Sequence, residues 1–245
     1  MKKYIINYSD KSVYGTLFHP KNEKKSPAII LSHGYNGIGA DFMRECEAFA
    51  ENGFVAYAFD FCGGSTRSQS TGNSTDMTIF SETEDLIAVT DHIAGLDFVD
   101  PEQIFLLGGS QGGLVTSLAA SEMKEKIKGI ILYYPAFCIP DNWRHAFDET
   151  GIPEEVEFWG LKLGNRFFSS IKELYPFEKI TDYKGNVLIL HGDKDQIIPL
   201  NDSFKAESLY SSCKTVVLNG EGHGFSESGT QVAINASLAF AKSLI

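Results

Sequence analysis

Ser110 stands in Gly108-Gly109-Ser110-Gln111-Gly112-Gly113, with a glycine two positions before it and another two positions after. The apolar run Gln103 to Leu107 precedes this stretch, and the helix-patterned run Leu114 to Met123 comes after it. A serine on so tight a strand-to-helix bend has its hydroxyl aimed out of a sheet edge, where it can attack. Glycine is required on both sides because the two backbones pass too close for a Cβ, and the serine itself takes a strained conformation. Glycine-rich turns also bind phosphate, but a phosphate loop continues with Lys and then Ser or Thr, and here Leu114 and Val115 stand instead. A dinucleotide turn belongs after the first strand of its unit, whereas this one lies nearly halfway along the chain.

A serine needs a base and a group to orient that base, and the C-terminal third carries both in the order Ser110, Asp195, His223. Asp195 lies in His191-Gly192-Asp193-Lys194-Asp195-Gln196-Ile197-Ile198-Pro199, directly after the apolar run Val187 to Leu190, so its carboxylate emerges at the carboxyl edge of a strand. Asp193 is its rival on the same loop. His223 lies in Gly220-Glu221-Gly222-His223-Gly224-Phe225, where glycines let a loop carry the imidazole back over the serine. Of the other five histidines, His19 closes an N-terminal strand, His92 falls inside a helix and His145 lies in an insertion. His33 and His191 end strands, and each reads as a turn-holding hydrogen-bond partner. A metal at His191, Asp193 and Asp195 suits the ligand types, but the three share one short loop and no second cluster completes a site.

The charge that develops on a tetrahedral intermediate needs at least two donors. The backbone N–H of Gln111 is one. The run Ala28 to Ser32 leads straight into His33-Gly34-Tyr35-Asn36-Gly37, and the N–H of Tyr35 is the second.

The elements that must position these groups alternate along the chain, as in a mostly parallel sheet covered on both faces. Tyr4 to Tyr8 and Ser12 to Phe18 form a hairpin through Ser9-Asp10-Lys11, with further strands near Ala28, Val55, Ile104, Gly129, Val187 and Thr215. Phe42, Cys46, Phe49 and Gly53 mark one helical stripe, Leu86, Val89, Ile93 and Leu96 a second, and Ile234, Leu238, Ala241 and Ile245 a third. Ser65 to Thr75 is a Ser/Thr-rich surface loop with the composition of a mobile one. Too many residues separate the strand Gly129 to Tyr134 from the one at Val187 for a single crossover helix. Residues 138–180 are therefore expected to form an inserted cap over the active-site edge, with residues 1–137 and 181–245 as the core. The cap segment holds eight aromatics, including both tryptophans. A small cap cannot bury them all, so Trp143, Trp159 and Phe167 are expected to face bound substrate.

The His-Gly loop, Gly-x-Ser-x-Gly, Gly-Asp-x-Asp with its downstream Pro199, and the late Gly-His-Gly together resemble the α/β-hydrolase superfamily over nearly the whole chain. Within it, His33-Gly34-Tyr35, Phe59-Asp60-Phe61, Ser110-Gln111-Gly112-Gly113 and the length of the insertion are most similar to bacterial feruloyl or cinnamoyl esterases. The chain departs from them at Cys62-Gly63-Gly64-Ser65, where such proteins usually carry Arg or Asn and then Gly-His-Gly. The resemblance implies an α/β-hydrolase fold with a mostly parallel eight-stranded sheet, helices on both faces and a small cap. It implies Ser110, Asp195 and His223 as the catalytic residues, with Tyr35 and Gln111 as the oxyanion hole and no cofactor. The activity implied is hydrolysis of carboxylic esters of small to medium acyl or aryl groups, hydroxycinnamoyl among them, through an acyl-enzyme. A peptidase of the prolyl-oligopeptidase type shares the machinery but usually brings a large extra domain. A thioesterase or lipase shares it too, and a non-enzymatic binding protein on this fold usually lacks one of the three residues.

Composition fits that expectation. A chain of 245 residues with 43% hydrophobic content can bury one sizeable core. A net charge of −11 repels nucleic-acid backbones and anionic membranes. Lys2 and Lys3 lead into a short strand-like run, not a signal peptide, and no apolar stretch reaches the roughly 18 residues that span a bilayer. The four cysteines, Cys46, Cys62, Cys138 and Cys213, are widely spaced and suit reduced, buried thiols of a cytoplasmic protein. Cys62 ends a strand and is expected to pack, with an approach to the pocket as the alternative. The expected partner is a small-molecule ester, and assembly into a homodimer stays open.

Overall fold

The computed structural model describes residues 1–20 and 25–245. Its strands, in chain order, are β1 (Lys2–Tyr8), β2 (Lys11–Phe18), β3 (Ser26–Ser32), β4 (Val55–Phe59), β5 (Val99–Gly109), β6 (Gly129–Tyr133), β7 (Glu155–Phe158), β8 (Leu161–Gly164), β9 (Asn186–Gly192) and β10 (Ser212–Leu218). Eight form one sheet in the order β1-β2-β4-β3-β5-β6-β9-β10, and β7 and β8 pair separately. The first two strands are an antiparallel hairpin and β2 runs antiparallel to β4, while every other neighbour pair in the sheet is parallel. Val55-Ala56-Tyr57-Ala58-Phe59 is buried at every position, as is Gly129–Tyr133. Continuous burial of this kind marks parallel strands covered on both faces.

Among the described residues eight α-helices supply the cover: α1 (Met43–Glu51), α2 (Ile79–Ala94), α3 (Gln111–Met123), α4 (Ile139–Trp143), α5 (Asn165–Ile171), α6 (Pro176–Lys179), α7 (Leu200–Leu209) and α8 (Glu227–Lys242). The strand period of two sends Ile30 and Leu106 into one apolar cluster with Leu86, Val89 and Ile93 of α2. It sends Ile29, Leu31 and Leu107 into another with Cys46 and Phe49 of α1 and Ala233 and Ala241 of α8. Helix α2 begins cleanly because the Thr78 hydroxyl accepts from Ser81 N–H while the Ser81 hydroxyl accepts from Thr78 N–H.

Two local expectations need correction. Ile245 is 55% exposed, since α8 ends at Lys242 and the third stripe stops with it. The Ser65 to Thr75 loop lies at the surface but is tethered: the hydroxyls of Ser65, Ser68 and Ser70 donate to the carbonyls of Asn36, Phe61 and Asp60. Cys62 takes the packing role, buried in the α2-side core with its N–H on Asp85, and burial first and Asp85 second push its thiol up to about 12. Among the described residues no helix is long and apolar enough to cross a membrane.

Residues 138–180, between β6 and β9, hold α4, the β7–β8 hairpin, α5 and α6. Their apolar side is continuous with the main core, through Leu161, Leu163, Phe167, Phe168 and Ile171. The hairpin turns at Trp159 (φ 44°) and Gly160 (φ 76°). Consecutive positive φ values match the twist of a two-residue hairpin.

Candidate active site

Between β5 and α3, Ser110 has φ 54° and ψ −120°, a strained conformation for a residue with a side chain. The glycines around it are steric necessities. A Cβ on Gly108 would stand 2.2 Å from the carbonyl oxygen of Gly112, and one on Gly112 would stand 2.3 Å from that of Ser32. The bend is held by Ser110 N–H donating to Tyr133 O at 2.9 Å and by Ser110 O accepting from Gly113 and Ala136.

The loop after β10 delivers His223 with Nε2 3.1 Å from Ser110 Oγ and Nδ1 2.8 Å from Asp195 Oδ2. Nδ1–H donates to the carboxylate, which leaves Nε2 free to accept the serine proton. The Tyr134 ring lies against the imidazole at 4.5 Å between centroids, and Phe225 lies against Tyr134 at 4.7 Å. The Asp195 side chain is wholly buried. Burial alone would raise its pKa, but the N–H of Ile198, then His223, then the N–H of Ile197 donate to it and together hold it below the usual carboxylate range.

Asp193 faces away, accepting from Gly220 N–H at 2.6 Å. His33 is buried, donating from Nδ1 to Gly34 O and accepting at Nε2 from Phe61 N–H, and burial lowers its pKa. His191 is equally enclosed between the Ser203 hydroxyl and Ile198 O, with burial lowering its pKa, and its Nε2 lies 3.3 Å from Asp195 Oδ2. Both therefore hold turns in neutral form. His19 borders Phe98, His92 pairs with the Tyr4 hydroxyl and His145 with Asp148, all away from Ser110. Among the described residues no group of three His, Cys, Asp or Glu side chains is placed to hold a metal ion.

The His33 to Gly37 loop reaches Ser110 so closely that a Cβ on Gly34 would stand 3.1 Å from Ser110 Cβ. The Gln111 N–H opens α3, where a helix leaves its first amides without internal partners. The Gln111 side chain donates from Nε2 to Glu82 Oε2 at 2.8 Å, and burial pushes Glu82 up to about 8. The Tyr35 hydroxyl donates to Phe158 O at 2.7 Å, tying the loop to the hairpin.

Ser110 lies where two chambers meet. The first, about 280 Å³, has Tyr35, Ser110 and Gln111 at its base and walls of Ile139, Trp143, Phe158, Trp159, Phe167 and Ile198. All three aromatics expected from the sequence line it. Phe158, Ile139 and Ile198 join them, and of these only Phe158 carries a sequence signal, as a member of the aromatic cluster. The second chamber, about 440 Å³, is bounded by Gly34, Glu45, Tyr134, His223 and Phe225. Glu45 and Tyr134 are not marked in the sequence, because nothing local shows that α1 and the end of β6 converge there.

Comparison with known proteins accords with this architecture. The family model for the prolyl oligopeptidase family matches residues 40–245. Est1E from Butyrivibrio proteoclasticus, solved with ferulic acid bound, superposes with a TM-score of 0.89 at 28% identity, covering 98% of both chains. An uncharacterized 31.7 kDa protein of Escherichia coli is 34% identical over 110 residues, which is 44% of this chain and 37% of that protein. The acylamino-acid-releasing enzyme of Arabidopsis thaliana is 22% identical over 196 residues, 76% of this chain and 25% of that one. The chain thus spans about a third or less of the length of the curated relatives it matches.

Proposed function

From the premise that the chain belongs to the prolyl oligopeptidase family and has the α/β-hydrolase fold, we propose that it is a hydrolase that cleaves carboxylic esters through an acyl-enzyme on Ser110. The observation that carries this reading is the unbroken hydrogen-bond line from Ser110 Oγ through His223 to Asp195. In the first half-reaction His223 Nε2 takes the Ser110 proton as Oγ bonds to the ester carbonyl carbon. The N–H groups of Tyr35 and Gln111 stabilise the oxyanion. Collapse breaks the bond to the leaving oxygen, which receives the proton from His223. Water then enters by the same path, giving its proton to His223 while its oxygen bonds to the acyl carbon, and Ser110 Oγ leaves with that proton. Asp195 orients the imidazole and stabilises its cation.

Residues 138–180 act as the cap in this scheme. The apolar chamber beneath them takes the acyl group, and its aromatic walls favour an aliphatic or aryl acyl of moderate size. The likeness to a protein that binds ferulic acid supports including hydroxycinnamoyl groups. A second reading, an acylaminoacyl peptidase, is favoured by the family match and by the Arabidopsis relative.

A panel of nitrophenyl esters, thioesters and aminoacyl anilides, run on the wild type and on Ser110→Ala, separates these readings. Ester turnover that disappears in Ser110→Ala is the expected result. Turnover of anilides in preference to esters would replace the first reading with the second, and ester turnover surviving in Ser110→Ala would remove the serine mechanism.

A further inference from the structure

The two chambers at Ser110 differ in chemistry. His223 lines the second and not the first. Since the proposed mechanism has His223 protonate the departing atom, the leaving group must lie on the His223 side, and the second chamber is the space available to it.

The wall of that chamber contains Glu45, in the first turn of α1. The residue is only 4% exposed, and among the described residues the sole hydrogen bond its carboxylate receives is from its own backbone N–H. Arg44 lines the same chamber and its charge favours the ionised Glu45, but no ion pair closes between the two: Arg44 reaches toward Glu227 at 4.0 Å on the exposed rim, while Asp41 faces Arg67 at 3.4 Å. Burial pushes Glu45 up to about 7, against the opposing pull of its own N–H and of Arg44. The rings of Phe42, Tyr134, Trp159 and Phe225 line the same chamber. A buried carboxylate that closes no ion pair among the described residues, in a chamber lined by aromatic rings, is a combination that suits an organic cation, through charge attraction and ring quadrupoles together. The net charge of −11 also draws cations to the surface.

We propose that the second chamber is a leaving-group subsite for a cationic head, an ammonium or substituted ammonium carried by the departing alcohol or amine, with Glu45 as its counter-ion. This assignment rests on the acyl-enzyme reading and adds to it the class of leaving group.

The test pairs a choline ester with its uncharged carbon isostere, the 3,3-dimethylbutyl ester of the same acid. The wild type should show a KM about tenfold lower for the choline ester, with similar kcat. Glu45→Gln should bring the two KM values together, and a circular dichroism spectrum matching that of the wild type shows that the variant folds. Equal KM values in the wild type, or a choline preference that survives in Glu45→Gln, would overturn the proposal. Choline titrated calorimetrically into Ser110→Ala reads the chamber without turnover. Binding that disappears in Ser110→Ala/Glu45→Gln supports the subsite, and absence of binding to Ser110→Ala refutes it. A protein that binds choline but cleaves no ester would sink the hydrolytic reading and leave the cation site standing.

Discussion

The side chain of Gln111 is anchored to Glu82 by a 2.8 Å hydrogen bond between two residues that are 2% and 1% exposed. Gln111 thus has its backbone N–H beside Ser110 and its amide locked to α2, so helix α2 helps position the proposed oxyanion hole. Positioning of this kind costs no reorganisation as charge develops.

Glu82→Ala should lower kcat for ester substrates about tenfold while leaving KM nearly unchanged, because Gln111 loses its anchor but the acyl chamber keeps its walls. Steady-state kinetics on one nitrophenyl ester decides it. A fall in kcat/KM that arises wholly from KM would show that Glu82 shapes binding and not the oxyanion hole.

The same glutamate makes stability depend on pH in a stated direction. Burial raises its folded-state pKa from the ordinary 4.5 to about 8. Between those values the folded protein holds a proton that the unfolded chain has released, so stability should fall as pH rises through this window. The loss attributable to Glu82 is on the order of a few kcal/mol. Urea unfolding at pH 5 and pH 8 should show a shallower decline in Glu82→Gln than in the wild type. A residual slope is expected, since Glu45 is raised in the same sense to about 7.

Asp195→Asn should reduce kcat by about 10³- to 10⁴-fold with little change in KM. Oδ1 accepts from the N–H groups of Ile197 and Ile198, so the replacement amide keeps its oxygen there and turns its NH2 toward His223 Nδ1. That demands an unprotonated Nδ1 and places the proton on Nε2, where it blocks transfer from Ser110. Turnover retained within tenfold would show that Asp195 does not set the tautomer.

Gly112→Ala should destabilise the fold by about 2–4 kcal/mol, because the new Cβ would meet the backbone oxygens of Ser32 and His33 at 2.3 and 2.4 Å. No flexible side chain is there to yield. Chemical denaturation measures the loss, and a variant as stable as the wild type would mean that β3 and α3 are not so tightly apposed.

Single alanine substitutions at Trp143, Trp159 and Phe167 should each shift preference toward bulkier acyl groups, with changes in relative kcat/KM of about 10-fold. Phe167 is 2% exposed and should also cost stability, whereas Trp159, 62% exposed at the hairpin tip, should not. An unchanged acyl profile in all three would remove the first chamber from acyl recognition.

Sequence alone located the places where chemistry could occur, because those signals are local. The glycines about Ser110 report a backbone approach enforced within a few residues, and the apolar runs before Asp195 and His223 report strand ends that must deliver their loops to one sheet edge. The alternation of elements likewise carried the eight-stranded sheet, since a continuous apolar run such as Val55 to Phe59 has few other ways to be buried. Tertiary structure alone decided the meetings across the chain. Asp193 and Asp195 share one loop and one residue type, and only the path of the β10 turn sends one carboxylate to Gly220 and the other to His223. Glu45 and Glu82 carry no local mark of their roles because the groups they face come from β6 and α3, brought beside them by the folded sheet and its helices. Side-chain direction and burial are properties of those contacts, and no short window of sequence contains both partners.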